Sequence, residues 1–281
     1  PLVFVLNLIS LFLLQVSMAT AISPITAIEN RVAIVTGSSR GIGRAIALHL
    51  ASLGFRLVIN YTSKKDSADL VAEEINSSYP SSAAGTRAIV VGGDVAEPDH
   101  VKRLFDEAEK AFGCPVSVLV NSAGVMDSKY PSIANTSIED FDRIFRINTR
   151  GSFNCCKEGA NRLKRGGGGR IILLSSSVVA SLKPLFGAYA ASKAAVEAMV
   201  KILAKELKGT SITANCVAPG AISTDMYYKG KTEADLKKTI EECPLSRLGE
   251  TKDLVPLVGF LASDAGEWVN GQAIRANGGY V

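Results

Sequence analysis

Short apolar runs alternate with amphipathic stretches along most of this chain. The first two apolar runs, at residues 32–35 and 56–60, are continuous, which is typical of strands buried on both faces of a parallel sheet. Between them, residues 44–53 have helical spacing and stop at Gly54. The pattern therefore predicts a strand, a helix and a second strand in succession, the unit from which parallel sheets are built.

The same alternation continues towards the end of the chain, with a long amphipathic stretch at 138–163 and a glycine-rich turn at 166–169. The further predicted elements are helices at 66–77 and 98–112, strands at 86–91, 116–120 and 170–174, and a helix from residue 188 onward. This order predicts an α/β fold of the Rossmann type, with a doubly wound parallel sheet and helices on both faces. No internal repeat or long linker indicates a second domain, so a single domain is predicted over residues 31–281.

The first thirty residues are an apolar leader that we expect to lie outside the fold. Residues 2–16 are strongly apolar, but the run is shorter than the roughly 20 residues that a membrane span needs. It resembles the core of a signal peptide, yet no basic residue precedes it and the sequence starts at Pro1. Since Met18 opens a sensible start, the leader is interpreted either as foreign to the functional protein or as a targeting segment.

Composition and charge exclude several classes of protein. The 281 residues are 47% hydrophobic and 21% charged, as in a chain with a well-filled core. The net charge of +4 comes without a long basic run, so no nucleic-acid partner is predicted. Five cysteines without metal-ligand spacing indicate a reduced compartment, and His49 and His100 lack partners for a metal site. We predict a cytoplasmic protein, with a plastid as the alternative, and no metal.

A glycine-rich turn separates the first predicted strand from its helix. Residues 36–43 read Thr-Gly-Ser-Ser-Arg-Gly-Ile-Gly. Glycines let the backbone approach an anion, and free N–H groups at the start of a helix stabilise its charge. The spacing differs from the common G-x-G-x-x-G motif. The strand–turn–helix context nevertheless favours a dinucleotide phosphate site over a turn that binds nothing.

The end of the second strand indicates which dinucleotide binds. An acidic side chain at this place would pair with the ribose 2′-hydroxyl of NAD(H). Residues 60–63 read Asn-Tyr-Thr-Ser and carry no carboxylate, while Arg40 can bring a positive charge to the same region. We therefore predict NADP(H) as the cofactor. The alternative is that Arg40 and Lys64 only face solvent.

Tyr189 and Lys193 lie four residues apart, on one face of a predicted helix. An unperturbed phenol has a pKa of about 10. A lysine ammonium one turn away favours the phenolate, so we expect the pKa of Tyr189 to be lowered. The pair suits proton transfer to or from an oxygen, although this spacing also arises by chance on many helices.

Taken together, these motifs resemble those of the short-chain dehydrogenase/reductases. The matching residues are the turn at 36–43, Asn121-Ser122-Ala123-Gly124, Asn148, Ser176, Tyr189-x-x-x-Lys193, the segment 219–224 and Asn277-Gly278-Gly279-Tyr280. Ser122 departs mildly from the family's second asparagine. The resemblance covers residues 31–281 and implies a single-domain Rossmann fold with a seven-stranded parallel sheet. NADPH-dependent members are the most similar: ketoacyl-carrier-protein reductases, polyhydroxynaphthalene reductases, and plant aldehyde or ketone reductases.

The resemblance also implies a catalytic site. Tyr189 would give a proton to a carbonyl oxygen as hydride arrives from the nicotinamide, and Ser176 would hydrogen-bond that oxygen. Ser175 and Ser177 are alternatives that the spacing disfavours. Lys193 would bind the nicotinamide ribose, and Asn148 would anchor a water that links Lys193 to solvent. The implied NADP(H) contacts are Gly37, Ser39, Arg40, Gly41, Ile42, Gly43, Asn60, Tyr61, Thr62, Ser63, Asp94, Val95, Asn121, Ala123, Gly124, Tyr189, Lys193, Pro219, Gly220, Ile222 and Thr224.

Substrate selection is expected in a lid at about 222–245. The predicted substrate contacts are Ser176, Val178, Phe186, Met226 and Tyr227, with ordinary packing as the alternative for the apolar ones. The predicted function is NADPH-dependent reduction of an aldehyde, ketone or C=N group of a small, partly hydrophobic metabolite. A 3-ketoacyl-carrier-protein reductase and a silent NADP-binding scaffold are the alternatives. A homotetramer or homodimer is expected, with residues 254–261 and 273–281 at its interface.

Overall fold

Seven parallel strands form one sheet within residues 31–79 and 85–281, the part of the chain that the computed structural model describes. The strands are β1 (Val32–Thr36), β2 (Arg56–Tyr61), β3 (Ala88–Gly92), β4 (Val116–Asn121), β5 (Gly169–Leu174), β6 (Ile212–Pro219) and β7 (Ala273–Ala276). Their order across the sheet is β3-β2-β1-β4-β5-β6-β7. The predicted Rossmann-type α/β fold is confirmed, whereas the leader at 1–30 lies outside the described residues.

Helices cover both faces of this sheet. They are α1 (Gly41–Ser52), α2 (Lys65–Ser78), α3 (Pro98–Phe112), α4 (Ile138–Phe145), α5 (Gly151–Arg162), α6 (Val178–Ser181), α7 (Gly187–Glu206), α8 (Asp225–Tyr228), α9 (Glu233–Glu242) and α10 (Val255–Ala262). Because side chains alternate along a strand, Ala33 and Val35 of β1 join the core on one face while Val32 and Ile34 join the core on the other. Over the described ranges, no helix combines the length and the apolar character that crossing a membrane requires.

The hydrophobic pattern predicted five of these strands and missed β6 and β7. Thr213 and Asn215 interrupt the apolar run of β6, yet both side chains are buried. The Asn215 amide donates to the Val269 carbonyl at 2.7 Å and accepts from the Gln272 N–H at 3.0 Å. These bonds satisfy the buried amide, so a strand with polar positions is stable between β5 and β7.

The amphipathic stretch predicted at 138–163 forms α4 and α5, joined by a π-helical turn, Arg146–Arg150. A π turn is rare and often marks a functional site. Asn148 lies in this turn and is fully buried. The sequence predicted the helical stretch but gave no sign of the wider turn.

The strand order reverses between β1 and β4, which opens a crevice at the carboxyl edge of the sheet. The chain after β1 and the chain after β4 meet there. A Cβ atom placed on Gly37 would lie 2.9 Å from the Ala123 Cα. The floor of the crevice is therefore made of closely packed backbone, with room above it for a ligand.

None of the cysteines within the described residues forms a disulfide. Burial raises the pKa of the Cys155, Cys156 and Cys216 thiols. A protonated buried thiol is a poor nucleophile, so these side chains pack the core and do not provide chemistry.

Candidate active site

A cleft of about 980 Å³ follows the carboxyl edge of the sheet at the point where the strand order reverses. This volume is at the upper end of the roughly 300–1,000 Å³ that is usual for small-molecule and cofactor sites. All of the predicted substrate contacts line it, and so do all of the predicted NADP(H) contacts except Asn60 and Asn121. One continuous cleft thus brings most of the predicted site together.

Asn60 and Asn121 lie behind the wall of the cleft, and their predicted contact with the cofactor stays a prediction. Asn60 accepts from the Gly37 N–H at 3.2 Å and donates to the Gly93 carbonyl at 3.1 Å. Asn121 accepts a hydrogen bond from the Thr36 hydroxyl. Both amides are buried and tie neighbouring strand ends together. They support the glycine turn from beneath.

The glycine turn has the form of an anion cradle. Gly37 has a φ of +62°, and a Cβ on Gly43 would lie only 2.3 Å from the Gly37 carbonyl oxygen. Side chains at these two positions would therefore displace backbone. Within the described residues, no side chain caps the start of α1 and its first turn holds no acidic residue. The first N–H groups and the positive end of the helix dipole fit a dinucleotide pyrophosphate.

The adenosine end of the cleft carries positive and neutral side chains. Residues 61–64 line it together with Arg40, and none of them is acidic. Arg40 lies 4.0 Å from Asp225, but both side chains are strongly exposed, at 67% and 86%, so this contact holds Arg40 only weakly. Asp94 also lines the cleft, and its carboxylate accepts a hydrogen bond from Arg146 at 2.8 Å. The arrangement suits an additional phosphate on the ribose.

Ser176, Tyr189 and Lys193 meet on the opposite wall. Ser176 follows β5, while Tyr189 and Lys193 lie on consecutive turns at the start of α7. The Ser176 hydroxyl accepts from the Val178 N–H at 3.3 Å and is close enough to the Tyr189 phenol to lower its pKa. The Lys193 ammonium, only 4% exposed, donates to the Leu174 carbonyl at 2.6 Å and lies 6.0 Å from the centre of the Tyr189 ring. A hydroxyl, a phenol and an ammonium thus lie together beside the cleft.

Burial controls the pKa values of this group. It raises the pKa of Tyr189 above its ordinary value of 10.0, and the nearby Ser176 hydroxyl acts in the opposite direction. Burial also lowers the pKa of Lys193 from 10.5 to about 8. The expected lowering of the Tyr189 pKa by Lys193 is therefore wrong for this structure. The ammonium is directed at the Leu174 carbonyl, and loss of water around the phenol dominates.

The structure distinguishes the three neighbouring serines. Ser175 donates to the Glu197 carboxylate at 2.7 Å, and Ser177 donates to the Ala218 carbonyl at 3.0 Å. Both hydroxyls are buried in these bonds. Ser176 is the one of the three that acts on the pKa of Tyr189, and its role as the catalytic serine stays a prediction.

Asn148 does not line the cleft but is adjacent to Lys193. Its amide donates to the Val125 carbonyl at 2.9 Å and to the Ser192 hydroxyl at 3.0 Å, and it accepts from the Val125 N–H at 2.8 Å. A Cβ on Gly124 would lie 3.3 Å from the Asn148 amide oxygen and 3.4 Å from the Lys193 ammonium. Asn148 thus holds the segment beside Lys193, and its predicted role in a water relay stays a prediction.

Sequence reasoning missed Lys231, which lines the substrate half of the cleft, and Tyr130, which packs against it. The Lys231 ammonium lies 4.6 Å from the centre of the Tyr130 ring and 4.9 Å from that of Tyr227. The Phe186 ring centre is 5.8 Å away. No local motif could have revealed Lys231 or Tyr130, because they come from loops about 100 residues apart in the chain.

Among the described residues, no group of three or more His, Cys, Asp or Glu side chains could hold a metal ion. The His100 imidazole accepts a hydrogen bond from the Asp94 N–H at 3.1 Å. This bond fixes the loop that contributes Asp94 and Val95 to the cleft. His100 therefore has a structural partner.

Comparison with known proteins links this cleft to a family. A family model described as enoyl-(acyl carrier protein) reductase matches residues 37–281. An NADPH-dependent aldehyde reductase-like protein, chloroplastic, of Arabidopsis thaliana is 66% identical over 258 residues, which cover 90% of this chain and 95% of that protein. A short-chain type dehydrogenase/reductase of Picea abies is 59% identical over 251 residues, covering 89% and 92% respectively. The crystal structure of a short chain dehydrogenase from Burkholderia cenocepacia in complex with NADP superposes with a TM-score of 0.81 at 32% identity, covering 91% of this chain and 99% of that one.

Proposed function

This chain belongs to the short-chain dehydrogenase/reductase family, and on that premise we propose that it is an NADPH-dependent enzyme that reduces the carbonyl group of an aldehyde or ketone. The observation that carries the proposal is that Ser176, Tyr189 and Lys193 line the wall of a cleft whose other half is a phosphate cradle. A proton donor and a carbonyl-binding hydroxyl thus lie where the nicotinamide end of a dinucleotide would reach.

Each side chain has a role that follows from its surroundings. NADPH, when bound, supplies the hydride. The Ser176 hydroxyl donates to the carbonyl oxygen of the substrate and so fixes its position. Tyr189 gives that oxygen its proton; a raised pKa keeps the phenol protonated at neutral pH, as a general acid requires. Lys193 holds a positive charge beside the phenol, which stabilises the phenolate left after proton transfer.

An aldehyde is the favoured substrate class. The relative from Arabidopsis is named as an NADPH-dependent aldehyde reductase. The substrate half of the cleft is lined by Val178, Phe186 and Met226, which suit an apolar body next to the reacting carbonyl. Residues 222–245 would act as the lid over this half, and the whole of 31–281 as one catalytic domain.

The test is to mix the protein with NADPH and a panel of aldehydes and ketones, and to follow absorbance at 340 nm. We expect oxidation of NADPH with apolar aldehydes, and a lower kcat/KM when NADH replaces NADPH. No absorbance loss across a diverse panel would instead support a silent NADP-binding scaffold. The same panel should include a C=N substrate.

A ketoacyl-carrier-protein reductase is the second candidate, prompted by the carrier-protein description of the matching family model. A carrier protein is acidic and needs a free basic patch to dock. Arg146 is bound to Asp94 at 2.8 Å and to Glu97 at 2.9 Å, so its charge is used within the chain. The free-aldehyde activity is therefore favoured. Rates with a ketoacyl thioester and with aldehydes would separate the two functions.

Association with further copies of the chain is expected to bury the apolar surface near its end. Most of α10 packs inside its own chain through Val255, Val258 and Leu261, so the expected interface over 254–261 narrows to the exposed Phe260. Trp268, which follows α10, is 98% exposed. Large exposed apolar side chains favour an interface. Light scattering after gel filtration should give the mass of a tetramer or dimer.

We propose a plastid location in preference to the cytoplasm, because the similar Arabidopsis protein is named as chloroplastic. A fluorescent protein fused behind residues 1–60 should enter plastids in leaf cells. The same fusion beginning at residue 31 serves as its control. Diffuse cytoplasmic fluorescence from both fusions would contradict the proposed location.

A further inference from the structure

Lys231 is held in a cage of three aromatic rings at the substrate end of the cleft. Its ammonium lies 4.6, 4.9 and 5.8 Å from the ring centres of Tyr130, Tyr227 and Phe186. Ring faces attract a cation, at about 0.5–2 kcal/mol for each good contact. They accept none of its hydrogen bonds in the way that a carboxylate would. The three N–H donors of Lys231 thus remain available to a ligand.

The backbone around Lys231 is held in place. Gly230 has a φ of +78°, and a Cβ at this position would lie 2.0 Å from the Ser128 carbonyl oxygen, so no other residue fits. The Tyr130 hydroxyl donates to the Lys229 carbonyl at 3.3 Å. The segment 229–231 is therefore pressed against the loop that contains Tyr130. The ammonium is presented from a fixed backbone.

Two cations that line the same half of the cleft, Lys183 and Arg247, are already paired. Lys183 donates to Glu242 at 3.1 Å, and Arg247 binds Asp253 through both of its terminal nitrogens. Asp235, the acidic residue close to Lys231, is engaged in the capping box of α9. Within the described chain, Lys231 has no ion pair within 4.0 Å.

The surroundings of Lys231 favour an anion. Its pKa is lowered, first by burial and then by the positive charge of Lys183. A site that disfavours a positive charge becomes more favourable when a negative charge enters it. Ser181, which also lines the cleft, has a buried hydroxyl oxygen with no hydrogen-bond partner among the described residues. A cationic donor and a free hydroxyl thus line the same cleft.

The position of Lys231 relative to Tyr189, the proposed proton donor, follows from Phe186. Phe186, one ring of the cage, is the residue that precedes α7, and Tyr189 lies in the first turn of that helix. Lys231 and Tyr189 both line the cleft. A substrate whose carbonyl oxygen meets Tyr189 would extend past Phe186 towards Lys231.

We propose that the cleft binds carbonyl substrates that carry a carboxylate at the end remote from the reacting group, and that Lys231 is the residue that selects them. This inference rests on the proposed reductase function and narrows its substrate class to oxo acids with an apolar spacer. Residues 178 and 226 would contact the spacer, and the carboxylate would accept hydrogen bonds from the ammonium.

The experiment compares 4-carboxybenzaldehyde with its methyl ester, which has nearly the same shape but no charge. We measure kcat/KM for both with NADPH in the wild type, Lys231→Met, Lys231→Arg and Lys237→Met. Lys237 is 79% exposed on α9 and controls for the loss of one positive charge from the same segment. The acid-to-ester ratio should fall roughly tenfold in Lys231→Met, as for loss of one charge pair in a partly desolvated site. Lys231→Arg and Lys237→Met should keep the acid-to-ester ratio of the wild type.

An acid-to-ester ratio that is the same in the wild type and Lys231→Met would overturn the proposal. A binding measurement tests the anion subsite separately from the proposed reductase function. Calorimetry with 4-(hydroxymethyl)benzoate and the protein saturated with NADP⁺ should show about tenfold weaker binding in Lys231→Met. If no aldehyde is reduced but this difference is found, the reductase function fails and the anion subsite stands. If the wild type and Lys231→Met bind this ligand equally well, the proposed anion subsite is wrong, whatever the turnover.

Discussion

Replacing Lys193 by Met should make the protein more stable and inactive. Lys193 is 4% exposed and makes one hydrogen bond, to the Leu174 carbonyl at 2.6 Å. Its pKa is lowered from 10.5 to about 8, chiefly by burial. The native site therefore disfavours the charged form that the unfolded chain holds without cost. Met has a similar length and no charge to bury.

The magnitude follows from proton linkage. A pKa that moves from 10.5 to about 8 costs about 3 kcal/mol of folding free energy at pH 7. The substitution also leaves the Leu174 carbonyl without its donor, which costs about 1–2 kcal/mol. The net expectation is a gain of about 1–2 kcal/mol in the free energy of unfolding. For a chain of this size that corresponds to a rise of roughly 2–6 °C in Tm.

The dependence on pH gives an independent check. The folded pKa lies below the unfolded pKa, so between about pH 8 and 10.5 the unfolded chain binds more protons than the native one. The cost of burying the charge is full below pH 8 and disappears as the pH approaches 10.5. The stability of the wild type should therefore rise over this range, reach that of Lys193→Met and exceed it by about 1–2 kcal/mol near pH 10.5.

Urea unfolding at fixed protein concentration, at pH 7 and at pH 9.5, measures both effects. Lys201→Met is the matched control, since Lys201 lies on the same helix but is exposed; it should change stability by less than about 0.5 kcal/mol. A Lys193→Met variant that is less stable than the wild type at pH 7 would refute the argument that charge burial dominates. Turnover by Lys193→Met at the wild-type rate would refute its proposed role beside the phenol.

Four further substitutions test the rest of the cleft. Tyr189→Phe should lower kcat by about 10²–10⁴-fold, the usual contribution of a general acid, while isothermal calorimetry shows NADPH binding nearly unchanged. Ser176→Ala should lower kcat by about 10²-fold. Ser175→Ala should instead leave kcat within a few-fold and lower stability by about 1–2 kcal/mol, because it removes the partner of the Glu197 carboxylate. Thr62→Asp should reduce the ratio of kcat/KM for NADPH over NADH at least tenfold, about 1.4 kcal/mol, because a carboxylate there repels the 2′-phosphate; an unchanged ratio would place that phosphate elsewhere.

The sequence predicted the parts of the fold that local patterns determine. The bounds predicted for α3, residues 98–112, agree with the structure, because proline opens the helix and Gly113 ends it with a φ of +65°. Strands with continuous apolar runs, such as β1, were also predicted correctly, because an apolar run is a local pattern too. Strand β6 was not, because the hydrogen bonds that make its buried Asn215 acceptable come from residues 269–272. Such bonds have no counterpart in a local pattern.

Side-chain direction explains where the structure differs from the predictions for the site. Residues 60–63 were taken together as cofactor contacts, but successive residues of a strand point to opposite faces. Tyr61 therefore lines the cleft while Asn60 turns behind it to hold the glycine turn. The direction of the Tyr189 pKa was wrong for a related reason. Helical spacing places Lys193 one turn from the phenol but does not say that the ammonium points at the Leu174 carbonyl.

The two halves of the cleft differ in how the chain specifies them. The phosphate cradle is made of backbone, so it requires glycines at fixed local spacing, and a motif reveals it. The substrate half is made of side chains from separate loops, and Tyr130, Phe186 and Lys231 meet only after the chain has folded. The chemistry of hydride and proton transfer can therefore be predicted from sequence, because it resides in motifs. The choice of substrate resides in contacts between loops, where a single unpaired ammonium among three rings distinguishes a neutral aldehyde from an oxo acid.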